Sequence, residues 1–209
     1  IDGTNDSPVV SGVSVGHVIE QGTNTLGTAK ATGTLTASDL DTSDTIKWTV
    51  NQHQGQLGTL SIDQHGHWHY QLDNSAGSAT DKLTAGQHHP ESFWITATDS
   101  SGTSVPHKIV IDVMGTNDAA VISGDTVKNF YENALFDADK HDVTTRQNAH
   151  SLSGALTSKD ADSGQSNLFQ PIHSQMGHYG SISLDANGHW HYQLAPSEGK
   201  TIDELAQGE

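Results

Sequence analysis

Apolar residues along this chain recur at every second position. In Phe93-Trp-Ile-Thr-Ala-Thr-Asp99, the residues Phe93, Ile95 and Ala97 share one face. Ile109, Ile111 and Val113 do so in Lys108-Ile-Val-Ile-Asp-Val113, and Trp68, Tyr70 and Leu72 in Trp68-His-Tyr-Gln-Leu72. Side chains alternate across a strand, so this spacing predicts short antiparallel strands with one dry face. Asp63-Gln-His-Gly66 and Asp185-Ala-Asn-Gly188 read as hairpin turns, each closing on a glycine that can take positive φ. The helical candidates are short links, Ser78–Thr84 and Thr201–Ala206. The chain is predicted to be all-β, with Greek-key β-sandwiches as its architecture.

The pattern occurs twice. Gly58-Thr-Leu-Ser-Ile-Asp-Gln-His-Gly-His-Trp-His-Tyr-Gln-Leu72 returns as Gly180-Ser-Ile-Ser-Leu-Asp-Ala-Asn-Gly-His-Trp-His-Tyr-Gln-Leu194. Gly3-Thr-Asn-Asp6 returns as Gly115-Thr-Asn-Asp118, and Gly33-Thr-Leu-Thr-Ala-Ser-Asp-Leu-Asp41 returns loosely as Gly154-Ala-Leu-Thr-Ser-Lys-Asp-Ala-Asp162. A period this long is a whole domain and not a solenoid repeat. Two tandem sandwiches are expected, residues 1–114 and 115–209, meeting near Val113–Ala119. The second differs by an insertion near residues 136–150. Its alignment also reaches Glu209 before any counterpart of Phe93–Asp99 or Lys108–Val113. It is therefore predicted to be incomplete or split. Its missing strands would come from further sequence, from another chain or from a repacked insertion.

Composition narrows the partners. With 9 Lys+Arg against 25 Asp+Glu, the formal net charge is −16. That excludes the basic surfaces that bind nucleic acid or anionic membrane, and favours cations. No apolar run is long enough for membrane insertion. The chain has no cysteine, so metal ions are candidates for the stapling that disulfides give many secreted domains. Oxygen donors recur at unit boundaries and strand ends: Asn5-Asp6, Asn117-Asp118, Asp39-Leu-Asp41, Asp160-Ala-Asp162, Asp99, and the early glutamates Glu20 and Glu132. Carboxylates at i and i+2 of extended chain project the same way, and Ca²⁺ takes six to eight such oxygens. Taken singly, these residues are equally good turn formers.

The fourteen histidines offer less. His67 and His69, like His189 and His191, lie at i, i+2 on a predicted outer face. They could bind Zn²⁺ or Ni²⁺ with a third ligand, but the plainer reading is a solvated strand face. His88-His89 is read as a loop before Pro90. No nucleophile elbow, phosphate loop or zinc-protease motif occurs, and the chain is read as no enzyme.

The motifs Gly-Thr-Leu-Thr-Ala-Ser-Asp-Leu-Asp, Gly-His-Trp-His-Tyr-Gln-Leu-Asp-Asn, Phe-Trp-Ile-Thr-Ala-Thr-Asp-Ser-Ser-Gly and Ile-Val-Ile-Asp-Val-Met-Gly-Thr-Asn-Asp together resemble VCBS-type repeats of giant repeats-in-toxin (RTX) adhesins. The resemblance implies bacterial cadherin-like sandwiches strung end to end, secreted by a type I system and displayed extracellularly at the cell surface. It also implies Ca²⁺ at domain junctions and a role as extender in adhesion and biofilm formation. By that similarity, Asp39, Asp41 and Asp99 would cap unit one with Asn5 and Asp6. Asp160 and Asp162 would cap unit two with Asn117, Asp118 and either Glu20 or Asp73. The partners would be neighbouring repeats of the same polypeptide, with host or biofilm glycans or peptides reached through adjacent domains. A second reading is a carbohydrate- or peptide-binding module, for which Trp94 is the aromatic that stands out on a predicted outer face.

Overall fold

A computed structural model of the chain describes residues 3–128 and 151–194. Its strands are β1 (Val9–Gly12), β2 (Val15–Ile19), β3 (Lys30–Ser38), β4 (Lys47–Val50), β5 (Gly58–Ile62), β6 (His67–Leu72), β7 (His88–Thr98) and β8 (Ser104–Met114), followed by β9 (Val121–Gly124), β10 (Ser151–Lys159), β11 (Ile172–Met176), β12 (Gly180–Leu184) and β13 (His189–Leu194). The helical candidate after Ser78 is one 3-10 turn, Thr80–Lys82. Glu132, the insertion at 136–150 and the candidate helix Thr201–Ala206 lie outside the described residues. Two compact units emerge. One is Ile1–Ala119 with the short segment Ala161–Gln165, and the other is Ala120–Asp160 with Ser166–Glu209.

Unit one is a Greek-key sandwich of two four-stranded sheets, ordered β1-β3-β6-β5 and β2-β8-β7-β4. Its first strand is divided. β1 pairs antiparallel with β3 in one sheet, the chain crosses at Val13–Ser14, and β2 pairs parallel with β8 in the other. Trp68 marks the crossing, its Nε1 donating to the carbonyl of Val13 at 2.7 Å. The ring lies flat against Gly33, where a Cβ would come within 2.4 Å of it. The alternation read from the sequence fills the core: Trp68, Tyr70, Leu72, Phe93, Ile95, Ile109, Ile111 and Val113 are all buried. β7 begins earlier than expected, because His88 and His89 join the ladder instead of forming a loop. They pair with Met114 and Val113 on the long β8, and Pro90 is tolerated where β7 has no second neighbour.

The same parity that buries Phe93 also buries a carboxylate. Glu91 is inward on β7, where its Oε1 accepts the amides of Gln56 and Leu57 and its Oε2 accepts the Tyr70 hydroxyl. Burial, then Glu91, pushes the Tyr70 hydroxyl far above its ordinary pKa. Replacing Glu91 by Leu leaves three donors without their acceptor. It should cost about 3 kcal/mol of stability, measured by urea unfolding. A loss below about 1 kcal/mol would show that the carboxylate is dispensable.

Within unit two the strands form one five-stranded sheet, β11-β12-β13-β10-β9. Much of unit one's first sheet is repeated. Trp190 Nε1 donates to the Asp125 carbonyl at 2.9 Å, Gly154 lies against its ring, and Gly188 turns the hairpin at φ 89° as Gly66 does at φ 81°. β11 continues the repeat, matching residues 50–54 of unit one. Met176 pairs with Ser181 as Gln54 bridges Thr59, and the Gly177 amide donates to the Gly180 carbonyl as the Gly55 amide does to that of Gly58. The difference lies in the second layer, since no equivalent of β7 or β8 occurs among the described residues of unit two. The apolar face is correspondingly less covered. Trp190, Tyr192, Leu194 and Leu156 are only half-buried, where Trp68, Tyr70, Leu72 and Leu35 are fully buried.

Candidate cation sites

Unit one carries two acidic clusters, each with ligand oxygens within 4.8 Å of one another. The first joins Asp39, Asp41 and Asp44 in the loop after β3. The chain turns there because Asp39 Oδ1 accepts the Asp41 amide at 3.0 Å, and the Asp44 amide donates to the Asp41 carbonyl at 2.9 Å. The N-terminal segment folds against this loop. The Asp6 amide donates to Asp41 Oδ2 at 2.8 Å, and Asn5 Nδ2 donates to Asp99 Oδ2 at 3.0 Å and Thr103 Oγ1 at 2.8 Å. Asp99 is buried at the end of β7, and the Asn5 amide, foremost among its partners, holds its carboxyl below the usual range. Ser100 Oγ donates to Asp44 Oδ1. Asp39 Oδ2 and Asp44 Oδ2 are buried without a hydrogen-bond partner.

The second cluster joins Glu20, Asp81 and Asp118. Glu20 follows β2 in phase with buried Val18 and is 1% exposed. Its Oε2 accepts the Thr116 amide at 2.9 Å, whereas Oε1 is buried without a hydrogen-bond partner. The Asp118 amide donates to Asp162 Oδ2 at 3.0 Å, and Asp162 is itself buried. Asn117 Nδ2 donates to the Asp118 carbonyl at 2.6 Å, which shapes the linker. Asp81 is positioned by the Thr80–Lys82 turn, where its Oδ2 accepts the Gly77 amide at 2.6 Å. Burial and then the charges of Asp118, Asp162 and Asp81 push the Glu20 carboxyl up to about 7, against the lowering pull of the Thr116 amide.

The structure thus brings Asn5, Asp6, Asp39, Asp41 and Asp99 together at one place, and Glu20, Asn117, Asp118 and Asp162 at another. Of the two alternatives Glu20 and Asp73, the cluster takes Glu20. Asp73 instead closes a local turn, accepting the amide and hydroxyl of Ser75. Asp160 accepts no place in either cluster; its amide donates to Asn167 Oδ1. Sequence reading missed Asp81 and Asp44. Asp44 extends the Asp39–Asp41 pattern by three positions and was visible, and Asp81 returns as Asp203 in the repeat, a signal that was overlooked.

Both clusters offer oxygen only, with several carboxylates and orphaned acceptors buried side by side. Such a set suits a hard divalent cation, because a buried acceptor without a partner is costly unless an ion meets it. The histidine pairs form no comparable set among the described residues. His67 and His69 stand on the outer face of β6, and His67 Nδ1 and His189 Nδ1 each clasp the aspartate of their own hairpin, Asp63 or Asp185, at 3.0 Å.

Residues 5–115 match the family model of the bacterial cadherin-like domain. No curated protein matches the chain. Among solved structures, a PcdhgB3 EC1–4 fragment aligns at 14% identity and a TM-score of 0.47, over 91% of this chain and 41% of its own length. Protocadherin Gamma B7 extracellular cadherin domains 1–4 align at 15% identity and 0.41, over 90% and 41%. The protocadherin GammaB4 extracellular domain aligns at 13% identity and 0.39, over 93% and 28%. The chain therefore spans well under half the length of the structures it resembles.

Proposed function

The chain belongs to the bacterial cadherin-like domain family, and we propose that it is a calcium-stiffened extender repeat of a large RTX-type surface adhesin, acting in adhesion and biofilm formation. The observation that carries this reading is the pair of oxygen-only clusters in unit one, with Glu20 Oε1, Asp39 Oδ2 and Asp44 Oδ2 buried and unmet. Ca²⁺ bound by Glu20, Asp81 and Asp118, with Asp162 beside them, would satisfy those acceptors and neutralise charges that otherwise repel. The same ion would tie the Asn117–Asp118 linker to the body of unit one. Asp39, Asp41 and Asp44 would do likewise for the Asn5–Asp6 linker. A spacer built this way is stiff in calcium-rich surroundings and slack without it. No helix among the described residues is long and apolar enough to cross a membrane, and secretion by a type I system is part of the same proposal.

Unit two is read as half of a sandwich. Its sheet repeats unit one's first sheet, but the covering layer equivalent to β2-β8-β7-β4 is not formed by its described residues.

Small-angle scattering on the whole fragment tests the spacer. With millimolar Ca²⁺ the radius of gyration should take one sharp value. With excess chelator the fragment should sample a broader distribution, and replacing Glu20 and Asp118 by Gln and Asn should reproduce the chelated profile in calcium. Identical profiles with and without the ion would defeat the proposal.

A further inference from the structure

We propose that unit one also binds a neutral oligosaccharide, in the groove between the first half of β7 and the segment 51–57, stacked on Trp94. This inference goes beyond the spacer role, because the groove shares no residue with either acidic cluster.

Trp94 lies on the outer face of β7, between Ser92 and Thr96, and is 50% exposed. It forms one wall of a groove of about 420 Å³ whose other lining includes Asn51, Gln52, Gln54, Gln56 and His89. That volume lies in the range of small-molecule clefts, about 300–1,000 Å³. The groove exists because the edge strand β4 pairs with β7 only as far as Val50–Ile95. The chain then leaves the sheet and runs alongside the uncovered edge of β7.

The lining selects the ligand class. Gln52 and Gln56 offer both a carboxamide donor and an acceptor, the pairing that a sugar hydroxyl needs. Gln54, whose Nε2 donates to the carbonyls of Gly55 and Gly58, offers its acceptor Oε1. An indole presents a broad apolar face with little conformational freedom to lose, suited to the C–H face of a pyranose ring. The lining contains no Lys or Arg, so an anionic ligand would find no fixed positive charge. Its one carboxylate, Glu91, is turned inward and spent on Gln56, Leu57 and Tyr70.

The groove is also held in shape before any ligand arrives. Glu91 pins the amides of Gln56 and Leu57 to β7. The Asn51 amide donates to the Trp94 carbonyl at 3.0 Å, and Thr96 Oγ1 donates to Asn51 Oδ1 at 3.0 Å. Gln52 Nε2 donates to the Gln54 carbonyl at 2.8 Å. Preorganised walls reduce the ordering cost of binding.

The test is a titration of the whole fragment, labelled with ¹⁵N-tryptophan, with cellohexaose, maltohexaose, xylohexaose and N-acetyl-chitohexaose. The Trp94 indole signal is assigned by its loss in Trp94→Ala. At least one hexasaccharide should shift that signal. Trp94→Ala should weaken its binding about tenfold or more, and Trp94→Phe should retain most of it. Gln52→Ala and Gln54→Ala should each weaken it by about threefold or more. Unchanged melting of Trp94→Ala shows that the fold is intact, as expected for a side chain outside the core. The proposal is overturned by silence of the Trp94 signal toward all four sugars at about 10 mM, by binding that survives Trp94→Ala, or by an extended peptide shifting the signal where no sugar does.

Discussion

Stripping divalent cations from this protein should lower the melting temperature of unit one by roughly 20 °C, and the loss should depend on pH. An ion present at about a hundred times its Kd adds about 2.7 kcal/mol per site. Two acidic clusters then supply about 5 kcal/mol, and each kcal/mol moves a domain of this size by several degrees. The pH dependence comes from Glu20. Without an ion its folded-state carboxyl sits at about 7, above the ordinary value of 4.5. A raised carboxyl binds a proton in the folded state that the unfolded chain releases. Its contribution is therefore full below about pH 4.5 and is lost as pH climbs through 7. In chelator, melting should rise by up to about 3 kcal/mol of stability as pH falls from 8 to 5. In saturating Ca²⁺ the ion takes the proton's place, and the slope should flatten or reverse because protons now compete with it. Glu20→Gln should abolish the slope in chelator and remove the calcium gain of its own cluster while leaving that of Asp39, Asp41 and Asp44. Calorimetric scans at pH 5, 6.5 and 8, with and without chelator, decide the matter. Equal melting in all of them would dispose of the cation argument.

The second large effect separates two residues that look identical in sequence. Trp68→Ala should cost about 3–5 kcal/mol, the usual range for emptying a closed core of an aromatic ring. The lost hydrogen bond to the Val13 carbonyl adds to that. Trp190→Ala, at the same place in the repeated hairpin, should cost only about 1–2 kcal/mol, because Trp190 is only half-buried. Urea unfolding followed by intrinsic fluorescence resolves both variants. Equal costs would mean that unit two has a closed core of its own.

What the residues announced and what they hid follows from physics. Phe93, Ile95 and Ala97, like Ile109, Ile111 and Val113, were legible because a strand with one dry face must alternate. The doubled Gly-His-Trp-His-Tyr-Gln-Leu showed the repeat directly. Glu20 and Glu91 were harder. Each lies in phase with buried apolar neighbours, Glu20 with Val18 and Glu91 with Phe93. Parity alone could have flagged both as buried carboxylates needing partners. Asp81 could not have been found so, since its position depends on a single 3-10 turn that brings residues far apart in sequence together. The groove at Trp94 escaped for a similar reason. An exposed aromatic is ordinary, and only the path of residues 51–57 gives it walls.

The divided first strand has a further consequence when the chain is under tension. β2 and β8 lie side by side and parallel, with Val15 opposite Val110 and Ile19 opposite Met114. A pull applied at the two ends of unit one draws β2 toward its own N-terminus and β8 toward its C-terminus. The two strands are then loaded in shear, and the hydrogen bonds between them share the force and must fail together instead of unzipping one at a time. Lifetime under such a load is governed by the rate of unfolding. The short β2–β8 ladder, which begins as soon as the chain has changed sheets at Val13–Ser14, is therefore where the module resists being drawn out.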